Sequence, residues 1–339
     1  INFDSNNKTT GVEFTKDGQN KTVSVKREVI LSAGAIGSPK LLMLSGIGSK
    51  DYLENLGISV VADAPYVGQN LQDHVVFLGF VVTTTDDLIG LKNITQSIVQ
   101  YHQNHTGLLT IPGFEALLFA HSGVGEVVND YPDLELEITA VFPTEEIKRS
   151  PYVSEEIYND YYKPMIGKNG FMGALAMVQP EARGAVYLRT NDPATPPAIN
   201  PNLFGTNTDL NRLVNGTMKL KSIFDTTAMK KIGAQLWQEK FPHCKQFGVW
   251  TEEYVRCFIQ HAAFPGQHVC CTCAMGNFER SVVDERLRVK GVSGLRVADA
   301  SVMPSIVAGN TNAAVMMIAA KASDIILEDA ESNVKGRKE

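Results

Sequence analysis

No stretch of about 18 apolar residues runs free of charge or proline in this 339-residue chain. The most apolar segments, Val29–Leu44 and Ala313–Leu327, are interrupted by Pro39 with Lys40 and by Lys321 with Asp324. That argues against a membrane-spanning helix. An excess of basic charge is also missing. Against 37 Asp and Glu stand 31 Lys and Arg, a net charge of −6, which argues against nucleic acid or an anionic membrane as partner. Cysteine is sparse: five residues, all between positions 244 and 273, too few for a disulfide-built scaffold. There is no internal repeat and no low-complexity tract. What remains is ordinary globular composition, 44% hydrophobic and 20% charged, at a length that suits two domains. A starting Met and a signal peptide are absent as well. The chain opens Ile1-Asn2-Phe3-Asp4 and reads as the interior of a longer polypeptide.

Residues 11–31 read as two strands around the turn Lys16-Asp17-Gly18, ending in the apolar run Val29-Ile30-Leu31, which suits a strand covered on both faces. Ser38 as N-cap and Pro39 at the first helical position then predict a short helix closed by Gly46 or Gly48. A strand entering a small-residue turn and a helix N-terminus admits a phosphate or ribose closely. The middle differs in character. Val75–Thr83, Leu134–Thr139, Met172–Val178 and Gly184–Arg189 read as strands. Strict alternation in Leu134–Thr139 predicts one wet face. Helical patterns fall at about 92–103, 209–231 and 251–262. An antiparallel sheet with helices on one side follows for residues 75–265. The last segment is built like the first. It has a strand at Leu295–Asp299, a loop, and a helix over Asn312–Glu328 that is apolar nearly all round and so expected to be buried. The expected organisation is therefore a discontinuous α/β domain, 1–74 with 266–339, into which an α+β domain, 75–265, is inserted.

Five Asn-x-Thr sequons, at Asn7, Asn20, Asn93, Asn104 and Asn215, each sit in a polar stretch and agree with an extracellular glycoprotein. Cys244 and Cys257 flank a polar turn and the start of a short helix. A disulfide there would constrain the unfolded chain by about 3 kcal/mol; two buried thiols of a cytosolic protein are the other reading.

Three clusters can carry chemistry. Gly34–Gly48 is Gly-rich, though tight strand–helix packing alone asks for such residues. Cys270-x-x-Cys273, beside His268 and Cys271, has the spacing of a redox pair or half a zinc site. A zinc site needs further ligands and no second such pair exists, so no metal is expected. Gly309-Asn310-Thr311-Asn312 precedes the last helix, where an Asn N-cap would also be ordinary.

These clusters carry a family resemblance. Gly34–Gly48 matches in full the second signature of the glucose–methanol–choline oxidoreductases, fixing Gly34, Ser38, Pro39, Ser45, Gly46 and Gly48 together. Val67–His74 resembles that family's next conserved block, and Leu295–Ser301 with Met303-Pro304 and Gly309–Ala313 resembles its C-terminal block. Gly113–Ala116, Tyr131–Leu136 and the Cys244/Cys257 pair are similar to the insect secreted branch, glucose dehydrogenase-like. The resemblance spans essentially the whole chain.

It implies FAD as cofactor and oxidation of a small-molecule alcohol, with oxygen or a quinone as electron acceptor. His268 matches the catalytic base and Asn310 the second active-site residue. Histidine is the side chain able to accept a hydroxyl proton near neutrality, while flavin takes the hydride and Asn310 holds the hydroxyl in place. Asp299 matches an FAD contact made through its backbone. Ala300, Thr311 and Asn312 follow it along the cofactor, and Ala33 and Gly34 lie near the adenosine half. The sequence also departs from the pattern. Cys271 stands where the family has Gly, and a Cys three residues after this His occurs in the family's plant hydroxynitrile lyases, which keeps a lyase as one alternative. The Gly-x-Gly-x-x-Gly turn that grips FAD pyrophosphate is absent, so a missing N-terminal FAD-binding segment is expected as a partner. A truncated, non-catalytic paralog acting as a binding protein is the other alternative.

Overall fold

The computed structural model describes residues 1–85, 94–110, 113–125, 130–150 and 153–335. The sequon at Asn93 lies outside them. The chain forms two compact units, Ile1–Asp73 with Ala182–Leu203 and Gln267–Glu339, and His74–Glu181 with Phe204–Gly266.

In the second unit, Val75–Thr83, Gly170–Met177, Leu134–Thr139 and Phe114–Ala120 lie side by side in an antiparallel sheet. Gln235–Leu236 and Phe264–Pro265 both pair with the first of these strands. The register sets Leu136 opposite Leu175 and Leu118, and Leu175 opposite Phe77. Leu136, Leu175 and Phe77 lie on the face that packs against the helices Asn207–Leu220 and Glu252–Ala262, whose Thr206 and Thr251 hydroxyls cap them by accepting from the Asp209 and Tyr254 amides, while Leu118 on the edge strand is exposed. Phe258 anchors the packing, its ring centroid 4.9 Å from Phe77 and 4.7 Å from Phe241. Cys244 and Cys257 are joined in a disulfide across the turn that precedes this helix.

The helix expected over 209–231 is interrupted. Thr226 adopts an extended conformation and caps a separate short helix, Thr227–Lys231, by accepting from the Met229 amide. A β-branched hydroxyl after Asp225 competes with the helix for backbone donors.

Gly184–Tyr187 is not a strand of this sheet, contrary to the sequence reading. It pairs with Gln69–Leu71 and Ala198–Asn200, which carries Ala182–Leu203 into the first unit. Gly68 fixes that join. At φ +80°, a Cβ there would stand 2.4 Å from the Val186 carbonyl oxygen, which accepts no side chain.

The first unit centres on the parallel pair Val29–Leu31 and Leu295–Val297, with Ile30 beside Arg296. Its core gathers Leu42, Ile47, Leu53, Val297 and Val302, all fully buried. Two expectations of full cover fail here. Ile30 is 43% exposed, because a two-stranded ladder has one bare face. Met316 and Met317 of the last helix, Asn312–Lys335, are more than half exposed, and among its described side chains the buried ones are Ile318, Ala322 and Ile325. Their spacing of four and three is that of a helix lying on one surface. Arg296, itself buried, holds this helix by charge, donating to Asp329 at 2.6 Å and to Glu28 at 2.7 Å.

The wet face expected of Leu134–Thr139 is also absent at Glu135. Its side chain is 2% exposed, opposite Ala176 and Phe119, and its Oε1 has no hydrogen-bond partner among the described residues. Burial, reinforced by Glu137, pushes its pKa from 4.5 up to about 7. Between those values the folded chain keeps a proton that the unfolded chain releases, so stability falls as pH rises through that window. Glu135→Gln keeps the shape without the charge. Denaturant titrations should show the variant more stable than the parent above pH 7 and the two converging near pH 4; a difference independent of pH would refute the buried-acid account.

Candidate functional site

The turns that follow the two parallel strands meet at their C-terminal ends, the position where open α/β sheets bind ligands. Ala33 and Gly34 follow one strand, Asp299 and Ala300 the other. Asp299 Oδ2 accepts from the Gly34 amide at 3.0 Å and from the Ser38 hydroxyl at 2.5 Å, and Oδ1 accepts from the Ser301 amide at 2.8 Å. The Asp299 side chain is therefore committed to joining the two turns.

Ser38 does not cap the helix as expected. The helix spans Gly34–Leu44 with Pro39 inside it, and Ser38 Oγ instead accepts from the Ala33 amide at 3.1 Å. A proline within a helix leaves the carbonyl four residues earlier without its amide donor. That carbonyl belongs to Ala35, and the buried Thr272 hydroxyl donates to it at 2.6 Å.

Thr272 belongs to the segment that carries His268. Segment 271–275 runs along the Asp299–Val302 turn, with the Cys271 amide donating to Ala300, Cys273 to Ser301 and Met275 to Val302. His268 is half-buried and its backbone is fixed by Asp73. The Asp73 carboxylate accepts from the His268 amide at 2.7 Å and from the Gln267 amide at 3.2 Å. Gln267 takes φ +62°, so the turn into His268 is held in a conformation L-residues seldom adopt.

Asn70 and Gln72 complete the support. Asn70 Nδ2 lies 3.3 Å from the Cys271 carbonyl oxygen and 3.2 Å from that of Pro304. Gln72 exchanges backbone bonds with Cys270, and its side-chain oxygen accepts from the Ile306 amide at 3.2 Å. Two loops hang on one short segment: the one bearing His268 and the one leading to Asn310. Asn310 is exposed, Thr311 half-buried and Asn312 exposed at the entrance to the last helix.

Of the residues singled out from sequence, Ala33, Gly34, Asp299 and Ala300 thus form one hydrogen-bonded group. His268 stands on a strand of loop bonded to that group, and Asn310 to Asn312 form the helix entrance. Sequence reasoning passed over Asn70, Gln72 and Asp73 as individuals. Their signal was three polar residues around the single apolar Leu71, all bonded or buried here.

Two family models, both described as GMC oxidoreductase, match residues 2–76 and 180–319. The chain belongs to the GMC oxidoreductase family. Ecdysone oxidase of Spodoptera littoralis is 34% identical over 330 residues, covering 94% of this chain and 53% of that protein. Human mitochondrial choline dehydrogenase is 35% identical over 324 residues, covering 93% and 50%. Among solved structures, formate oxidase superposes with a TM-score of 0.80 at 25% identity, over 97% of this chain and 59% of its own. The chain spans about half the length of the curated relatives it matches. GMC oxidoreductases are FAD-dependent, and the GMC fold is the one seen here.

The Asp73 contacts make a direct prediction. Asp73→Ala removes the charged acceptor of two part-buried backbone amides, hydrogen bonds of a kind worth roughly 1.5–3 kcal/mol. Hydrogen exchange should show the His268 amide losing protection well before the core strands do. Equal protection in variant and parent would show that Asp73 does not hold the turn.

Proposed function

We propose that this chain supplies the substrate-handling and flavin-facing parts of an FAD-dependent enzyme oxidising a small-molecule alcohol to a carbonyl, with His268 as general base. The observation that supports it is the placement of His268. Asp73 grips its backbone, and its segment is hydrogen-bonded to the Asp299–Val302 turn at the ends of the parallel strands.

The residues present fit the flavin in part. Gly34 stands at φ +76° with no atom within 4 Å of where a Cβ would lie, so a ligand can approach the main chain closely. The helix starting at Asn312 carries no acidic residue in its first turn, which favours an anionic group at its positive end; at the helix starting at Gly34 the Asp299 carboxylate already accepts from the first amide. Ala33, Gly34, Asp299, Ala300, Thr311 and Asn312 would border the cofactor. With its carboxylate committed to Ser38 and Gly34, Asp299 would do so through its backbone. A Gly-x-Gly-x-x-Gly pyrophosphate turn is not among the 339 residues, so the grip on the pyrophosphate comes from a further segment of polypeptide.

FAD, when bound, would supply the hydride acceptor, with oxygen or a quinone as the final electron acceptor of the proposed reaction. His268 removes the hydroxyl proton as the C–H bond breaks, so the imidazole gains one proton per turnover. Asn310 holds the same hydroxyl and restricts its orientation. An ecdysone oxidase and a choline dehydrogenase among the relatives support reading the substrate as an alcohol without selecting one.

In flavin-loaded protein, His268→Ala should lower kcat/KM by about 10²–10⁴ while the visible flavin spectrum and flavin retention stay unchanged. Undiminished turnover would remove His268 from the mechanism, and failure to retain flavin by protein that also carries the pyrophosphate-binding segment would remove the redox reading altogether. Cyanide released from a cyanohydrin without consumption of an electron acceptor would replace oxidation by a lyase reaction.

Secretion is part of the same proposal, resting on the Cys244–Cys257 disulfide and the sequons; no described helix is long and apolar enough to cross a membrane. Asn20 and Asn104 are exposed. The Asn7 amide donates to Val61 and the Asn215 amide to Ser122, at 3.1 and 2.6 Å. Glycopeptide mapping of protein from an animal-cell secretory host should find glycans at Asn20 and Asn104, with Asn7 and Asn215 bare. Complete occupancy at Asn7 or Asn215 would contradict that assignment.

A further inference from the structure

Cys270 and Cys271 are adjacent in the chain, fully buried, and their sulfurs stand 2.6 Å apart. Carbon atoms in van der Waals contact settle about 3.5–4.0 Å apart, and sulfur is larger. A disulfide bond is about 2.05 Å. Two thiols cannot rest at the observed separation of 2.6 Å, whereas closing it by about half an ångström makes a bond. The backbone is already set for the ring: Cys271 takes φ +78°, and each residue is tied on both sides. The Cys270 amide and carbonyl bond to Gln72, the Cys271 amide to Ala300 and its carbonyl to Asn70.

We propose that Cys270 and Cys271 form a vicinal disulfide, a covalent eight-membered ring two residues after His268. The ring forms by exchange with a small external disulfide. The two thiols give up two protons and two electrons, one S–S bond closes, and the external disulfide is reduced to two thiols. The exchange takes place before the loop is buried, because burial pushes the Cys271 thiol far above its ordinary range and suppresses the thiolate that exchange requires. Neighbouring Cα atoms are about 3.8 Å apart, closer than the usual disulfide span of about 4.4–6.8 Å, so this bond is more reducible than one joining distant residues. Cys273 is buried as well and stays a thiol. The ring immobilises the turn after His268 in a left-handed conformation that glycine would otherwise be needed to reach.

The test needs no activity measurement and so stands apart from the role given to His268. Protein made in an oxidising secretory host, with Cys244–Cys257 formed, is unfolded in alkylating reagent without reductant and its mass recorded. One alkyl group, located on Cys273 by fragmentation, is expected, rising to five after reduction. Cys273→Ser should take none before reduction. Three groups on the unreduced parent, two on unreduced Cys273→Ser, or a bridge from either residue to Cys273 would overturn the proposal.

Discussion

The site depends on one short run of polar residues, Asn70, Gln72 and Asp73, that gives up its hydrogen-bonding capacity to backbone nearly two hundred positions or more away. Asp73 accepts from the amides at 267 and 268, Gln72 from that at 306, and Asn70 donates to the carbonyls of 271 and 304. A loop normally satisfies its backbone with water or its own turns. Here two loops are satisfied by side chains whose own burial forbids leaving them unpaired, with Gln72 and Asp73 almost inaccessible. The arrangement is mutual: each partner that left would orphan a buried group. That reciprocity places His268 more firmly than side-chain packing in a loop could.

A second constraint begins with Pro39. Within a helix it removes a donor, and the vacancy on the Ala35 carbonyl is filled by Thr272 from the His268 segment. Ser38, one position earlier, reaches the opposite way to Asp299. The Ser38-Pro39 pair, which from sequence alone resembles a helix start, is a coupling element. One residue ties the first helix to the last strand's turn and the other ties it to the loop with His268. A capping serine would have served the helix only.

What could be read from sequence follows from range. The strand Val75–Thr83, the helix opening at Thr251 and the disulfide between Cys244 and Cys257 rest on local pattern, caps and spacing. The assignment of Gly184–Tyr187 to the wrong sheet, and of Glu135 to a wet face, rests on partners far along the chain. Alternation in Leu134–Thr139 shows that two faces differ, but not that the second face is also covered. The last helix errs in the other direction. Its apolar residues are read as all buried, yet Ile318 and Ala322 lie in the core cluster of this unit with Ala314 and Val315 partly buried against it, while Met316, Met317 and Leu327 are exposed. The motif residues were legible as a family pattern, while the reason for each became visible only once their distant acceptors and donors were in place.

The departure at Cys271 gains meaning in this setting. A residue with a Cβ at φ +78° carries a steric cost of roughly 1–2 kcal/mol, which accounts for glycine at the corresponding place in the family pattern. The cost is bearable here because the position is fixed from several sides at once: its amide by Ala300, its carbonyl by Asn70, and the preceding residue by Gln72. The same cradle that orients His268 therefore allows a larger side chain beside it. The hydrogen bonds to Ala300, Asn70 and Gln72 hold the backbone of the turn, and a ring through the side chain at 271 would add to that hold.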